Sequence, residues 1–352
     1  MAHALASRGF PPTLLLTGQH AGLEPRDFGL GGFAAERLFC AGREDPHDHV
    51  RAVSSALLPR LAHGSDLVVV QGDTSSALGG ALAASAAGVP AAHVEAGLRT
   101  HDPALPWPEE EYRTAIDAHA ELLFAPTAIA AANLAAERVP GEIHITGNTG
   151  IDALLAAEKT LPPRSLRQAG SPRLLVTCHR RESWREGLDS IAAAAAELAR
   201  ADGIAVAVVV HPNPHLARQT RQLLAGCQGV TLLDPCSHRE LLVRMLGADL
   251  VLSDSGGIQE EAPALGVPLL VLRDKTERPE GIASRCARLV GTSSERIVGE
   301  VRRLLTDREA LARMSRRTFP YGDGRAAPRI AQIIDDWLER RDRPLTRQAQ
   351  LN

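Results

Sequence analysis

Three carboxylates in the first half of the chain sit where an acidic side chain needs a reason. Asp73 follows the apolar run 67–71, Glu95 follows the short run 91–94 and precedes a glycine, and Glu109 opens the acidic stretch after Pro108. Each has an ordinary explanation by itself. Asp73 and Thr74 both suit a helix N-cap. Glu109 to Glu111 suit the positive end of a helix that Pro108 begins. A charged residue after a buried strand, as at Glu95, must otherwise point into a cleft or find a partner. Placed on three neighbouring strand ends of one domain, the three would converge at one cleft lip. Removing a weakly acidic proton from carbon and returning one requires that arrangement.

The second half carries residues suited to anions. His179, Arg180, Arg181 and Glu182 follow the run 173–177, and guanidinium forks match phosphate oxygens. His211 stands in a proline-rich turn whose Asn213 also suits a plain helix cap. The strongest phosphate signal is the stretch Asp254, Ser255, Gly256, Gly257, which leads from an apolar run into a helical pattern. Two glycines allow close backbone approach, and a helix N-terminus offers N–H donors and a favourable dipole. Glu261, one turn on, would hold the two hydroxyls of a ribose. Arg278, in a polar loop after the run 268–272, is a second phosphate candidate.

These residues need a scaffold that ends many strands at one place. Apolar runs recur at 13–17, 67–71, 91–94, 122–125 and 143–146, then at 173–177, 204–210, 230–233, 249–253 and 268–272. Most are continuously apolar, as parallel strands covered on both faces are. Helical patterns such as 77–87, 127–138, 185–200 and 293–305 separate them. The alternation predicts an α/β protein of two Rossmann-like, doubly wound domains facing across a cleft. The charged, proline-rich stretch 156–171 marks the boundary. The domains are expected at 1–155 and 171–322, with a last helix at 323–345 packing back towards the first.

The 352 residues suffice for two cores, and a net charge of −3 offers no basic footprint for nucleic acid or membrane. No apolar run is long enough to span a bilayer and no signal peptide is recognisable, which points to the cytoplasm. Only Lys159 and Lys275 are lysines, so Schiff-base chemistry has little to draw on. The five cysteines form no CxxC pair and no metal-ligand spacing is present. GxSxG, HExxH and GxxxxGK[ST] are all missing.

Several strings, in order, resemble the bacterial non-hydrolysing UDP-N-acetylglucosamine 2-epimerases. They include GDT at 72–74, HVEAGLRT at 93–100, PWPEE at 106–110, HRRES at 179–183, SDSGGIQEEAPALGVP at 253–268 and TERPEG at 276–281. The resemblance implies a GT-B-like pair of domains that interconverts UDP-GlcNAc and UDP-ManNAc. UDP is eliminated to leave 2-acetamidoglucal and is then re-added, supplying ManNAc units for cell-surface polysaccharide. It implies a UDP-sugar as the small-molecule partner, no cofactor, no metal, and a homodimer as a natural assembly. By motif matching, Asp73, Glu95 and Glu109 take the acid/base positions and His179 meets the departing phosphate. Ser255, Gly256 and Gly257 match the diphosphate turn, Glu261 the ribose ligand and Arg278 an arginine of the UDP site. Arg113, in the helix after the acidic loop, is expected to face the same ligand.

The chain departs from the family at its start. Members open with a strand and a Gly-Thr-Arg-Pro-Glu loop, whereas Met1 here falls in the first helix. The first strand of the N-terminal domain is therefore expected to be missing, leaving an open sheet edge. Two other readings share the fold: a hydrolysing epimerase releasing ManNAc and UDP, and a binding protein without turnover. A GT-B glycosyltransferase would share the nucleotide half-site but would not need three carboxylates in the first domain.

Overall fold

Continuous apolar runs become parallel strands here, and alanine-rich amphipathic stretches become the helices between them. The computed structural model describes residues 1–19, 22–40, 45–62, 64–163, 170–178 and 186–342. The chain divides into two units, Met1–Asp152 with Gly322–Asn352, and Ala153–Tyr321.

The first unit runs α1 (Ala2–Ala6), β1 (Leu14–Leu16), β2 (Ala35–Arg37), α2 (Pro46–Leu61), β3 (Val68–Gln71), α3 (Ser75–Ala87), β4 (Ala91–Val94), α4 (Glu109–His119), β5 (Leu122–Ala125), α5 (Ala128–Glu137) and β6 (Glu142–Ile145). The helix α6 (Thr149–Glu158) then leads into the second unit. The strands form two separate parallel sheets, β1-β2 and β3-β4-β5-β6. Among the described residues no strand joins β1 to β3, so β3 stands at an open sheet edge. Side chains tie the two sheets instead. The Thr17 hydroxyl, just past β1, lies 2.6 Å from that of Ser76 in α3, and Gln19 Oε1 accepts from the Ser76 N–H at 3.1 Å.

The second unit runs β7 (Arg173–Thr177), α7 (Glu186–Asp202), β8 (Ala205–Val209), α8 (Pro214–Leu223), β9 (Val230–Leu233), α9 (His238–Gly247), β10 (Leu250–Ser253), α10 (Gly256–Leu265), β11 (Leu269–Val271), α11 (Pro279–Ala283), β12 (Ala287–Leu289), α12 (Ser294–Thr306) and α13 (Arg308–Met314). Its six strands form one parallel sheet ordered β12-β11-β10-β7-β8-β9. Counted from β7, that is the doubly wound order 3-2-1-4-5-6, whose direction reverses between β7 and β10. Ligands of such sheets bind beyond the strand ends at that reversal. Its core is built from Leu174, Val176, Val206, Leu250, Leu252 and Leu270 against α7 and α12.

A last helix, α14 (Ala326–Asp342), belongs to the first unit. Its Ile330, Ala331, Ile334 and Trp337 cover Ala92, Val94, Leu122 and Phe124 on one sheet face, together with Leu5 of α1. The Asp152 carboxylate caps its start, accepting from the N–H groups of Ala326 at 3.0 Å and Ala327 at 2.7 Å.

Candidate active site

In the first unit the acidic residues gather at the carboxyl ends of β3 and β4. Gly72, in the left-handed region at φ 69°, turns the chain after β3. Thr74, not Asp73, caps α3 by accepting from the Ala77 N–H at 3.1 Å. Asp73 is thereby released from capping, and its carboxylate is paired with the Arg113 guanidinium. Glu95 also adopts a left-handed backbone, φ 74°, a costly conformation for a residue with a side chain. Its N–H and that of Ala96 both donate to the Phe124 carbonyl at 3.1 Å, which fixes the turn. A Cβ placed on Gly72 would lie 3.8 Å from Glu95 Oε2, so this carboxylate stands beside the turn that carries Asp73.

Glu109 begins α4 one helical turn before Arg113, on the same side of the helix. Its neighbour Glu110 turns back to accept from the N–H of Thr100 at 3.0 Å and of His101 at 2.9 Å, and it pairs with Arg113 at 2.7 Å. Arg113 is thus a buried counter-charge between Asp73 and Glu110.

In the second unit the strand ends at the reversal of the sheet are pinned together, with the Thr177 and Ser253 hydroxyls 2.7 Å apart. Ser255 is the N-cap of α10 but makes no side-chain capping bond. The Ser255 hydroxyl therefore does not occupy the first N–H groups of that helix, the end that favours an anion. A Cβ on Gly256 would come within 2.7 Å of an Arg278 nitrogen, so only glycine admits that guanidinium so close to the helix start. Arg278 donates from Nε to Glu260 at 2.6 Å and pairs with Glu277, which also holds Arg273 at 2.9 Å. The Tyr321 phenol accepts from the Gly281 N–H and donates to the Arg278 carbonyl, both at 2.9 Å. Burial pushes that phenol far above its ordinary range, so it stays a donor. Glu261 is partly buried and accepts from His238 Nε2 at 2.7 Å. That hydrogen bond raises the imidazole's affinity for its proton, against the opposing effect of partial burial.

The sequence pattern of the UDP-N-acetylglucosamine 2-epimerase family matches residues 3–335. The chain belongs to this family. It is 43% identical over 285 residues to the UDP-N-acetylglucosamine 2-epimerase of Salmonella typhimurium, covering 77% of this chain and 76% of that one. Among solved structures, the UDP-GlcNAc 2-epimerase of Neisseria meningitidis bound to UDP-GlcNAc is 33% identical with a TM-score of 0.82, covering 92% of this chain and 90% of that one. The Methanocaldococcus jannaschii enzyme in complex with UDP-GlcNAc and UDP is 30% identical with a TM-score of 0.82, over 95% and 94% of the two chains.

Arg113, expected to face the ligand, is 1% exposed and pairs with the Asp73 and Glu110 carboxylates. His179, together with Arg180, Arg181 and Glu182, lies outside the described residues. Asn213 does cap α8, accepting from the His215 N–H at 2.9 Å, and His211 Nδ1 accepts from the Asn213 N–H at 2.9 Å. Sequence reading missed Glu110, His93 and Asp117. Glu110 looked like one of three helix-start acids, and His93 is hidden inside an apolar run. Among the described residues no group of three or more His, Cys, Asp or Glu is placed to hold a metal ion. No described helix is long and apolar enough to cross a membrane.

Proposed function

We propose that the chain epimerises UDP-GlcNAc at C2 without hydrolysis, giving UDP-ManNAc. The observation that carries this reading is the pair of acidic residues on constrained turns in the first unit: Asp73 after left-handed Gly72, and Glu95 itself left-handed beside it. Neither turn is needed merely to fold a strand into a helix, and strain of this kind accumulates at working sites. In the reaction a carboxylate takes the C2 proton while the C1–O bond breaks and its electron pair leaves with UDP. The product is 2-acetamidoglucal. A second carboxylic acid then protonates C2 from the opposite face as UDP re-adds to C1. Asp73, Glu95 and Glu109 are assigned to these transfers, and Arg113 orients Asp73. The departing diphosphate carries the developing charge, which N–H donors and guanidinium groups stabilise. Ser255, Gly256, Gly257 and Arg278 are assigned to that task with His179, and Glu261 to the ribose. The UDP-GlcNAc and UDP seen in two solved relatives support this division, and the product would supply ManNAc-type units for surface polysaccharide.

The test is incubation with UDP-GlcNAc in heavy water, followed by proton NMR. UDP-ManNAc carrying deuterium at C2 is expected. Free ManNAc with UDP would mean a hydrolysing enzyme. UDP binding with no deuterium in recovered substrate would mean a binding protein.

A further inference from the structure

Behind the two turns of the first unit lies a charged pair that the reaction scheme leaves unused. His93, on β4, is completely buried, and both of its ring nitrogens meet oxygen. Nδ1 is 2.6 Å from Asp117 Oδ1 of α4, and Nε2 is 2.9 Å from the Gly72 carbonyl oxygen. A carbonyl oxygen can only accept, so Nε2 must carry a proton. Asp117 is itself gripped by donors: its Oδ2 accepts from Arg99 at 2.7 Å and from the Gly97 N–H at 3.2 Å. Arg99 is balanced in turn by Glu137, with contacts of 2.8 and 2.6 Å.

The proton between Asp117 and His93 therefore has a preferred home. Burial alone would push the Asp117 carboxyl up, but the neighbouring His93 and Arg99 hold it below the usual carboxylate range. With Asp117 ionised, both nitrogens of His93 donate. Two cations, His93 and Arg99, then face two anions, Asp117 and Glu137, and the buried network is neutral overall. Groups buried this way are tolerated only when paired and hydrogen-bonded throughout.

The bonds also go to telling places. Gly72 immediately precedes Asp73, and its own N–H donates to the Val94 carbonyl at 3.0 Å. Gly97 is two residues past Glu95 and is also left-handed, φ 81°. One His–Asp pair thus grips the turn behind Asp73 and the turn behind Glu95. We propose that His93 is held as a buried imidazolium that, with Asp117, positions the Asp73 and Glu95 carboxylates relative to each other. This rests on the epimerase reading for its consequence in catalysis, but not for the state of the ring.

Two measurements test it. In wild-type protein carrying heavy-nitrogen histidine, NMR at neutral pH should show a proton on each ring nitrogen of His93, slow to exchange with water. The signal would be assigned by its loss in His93→Gln or by sequential connectivity. A neutral ring with one bare nitrogen overturns the proposal whatever the variants do. Separately, His93→Gln and Asp117→Asn, checked for folding by circular dichroism, should lose about 100-fold in kcat with KM changed less than about threefold, the signature of misplaced reacting groups. UDP affinity by calorimetry should not move. A folded His93→Gln enzyme with wild-type kcat overturns the positioning role. If the wild type does not epimerise UDP-GlcNAc, the functional reading fails, and the NMR result still decides the imidazolium.

Discussion

The second unit places β7 at the centre of its sheet, with β8 and β9 on one side and β10, β11 and β12 on the other. The first unit has comparable arms, β1-β2 and β3 to β6, but they are separate sheets with no described strand between them. Burial follows the topology. β10, at the reversal of the second sheet, is buried along its whole length, whereas β3 is buried only at Val70 and exposes Val69 to 37%. A strand with neighbours on both sides holds the loop after it through backbone bonds. The loop after β3 has a sheet neighbour on one side only, so side chains must fix it: Arg113 on Asp73 and His93 on Gly72. The turn after β3 is therefore held by side-chain pairs, whereas the end of β10 is flanked by a strand on each side.

Substitutions that separate chemistry from binding would break this contrast most sharply. Glu95→Gln should lower kcat by roughly 100- to 10,000-fold, the usual scale of a lost acid or base, while UDP affinity stays unchanged. Equal losses in both would sink the division. In the second unit, Glu261→Ala should weaken UDP binding by about 10- to 100-fold, since a hydrogen bond to a charged group contributes about 1.5–3 kcal/mol. Isothermal calorimetry reads it, and an unchanged Kd would remove Glu261 from the ribose. Gly256→Ala forces a Cβ onto the Arg278 guanidinium and should cost about 1–3 kcal/mol in urea unfolding, with weaker UDP binding besides.

Smaller effects sharpen the topological side. β4 bonds Val68 and Gly72 of the first sheet through Pro90 and Val94, and the alternation of a parallel ladder points the Val69 and Gln71 N–H groups to the other edge. Those two amides should exchange with deuterium at least about tenfold faster than that of Leu175 in β7, by NMR or mass spectrometry. Equal protection would show that the edge of β3 is covered. The smallest effect is a pH dependence at the His238–Glu261 pair. His238 binds its proton more tightly folded than unfolded, so its contribution is complete below the unfolded value. It fades as pH rises through the folded one. His238 is half exposed, so the change should stay below about 0.5 kcal/mol and vanish in His238→Phe.

Much of this was legible in the sequence, for identifiable reasons. Buried parallel strands write themselves as apolar runs, so β4, β5, β7 and β9 lie where 91–94, 122–125, 173–177 and 230–233 predicted. β2 and β12 were not foreseen, because Ala35–Arg37 and Ala287–Leu289 are three residues each with a charged residue inside. Of the site, the strand-end acids were visible by position alone. Their support was not: Asp117 is 24 residues from His93, and nothing local to either marks the pairing. Arg113 was found by position, but its pairing with Asp73 and Glu110 was not, since a sequence does not say which neighbours a guanidinium meets.

The return of α14 to the first unit has a consequence for anyone wishing to handle the halves separately. Residues 1–152 are not a severable piece, because cutting there strips the cover from Ala92, Val94, Leu122 and Phe124 and leaves Asp152 without the helix it caps. A rearranged gene would serve instead, one that begins at Gly322, runs through α14 and rejoins Met1. Arg8 pairs with Asp335 at 2.7 Å, and the Met1 amine feels the charge of Asp152, so α1 lies alongside α14 pointing the same way. The joining peptide must double back along those 17 residues, about 25 Å, the typical end-to-end distance of roughly twenty flexible residues.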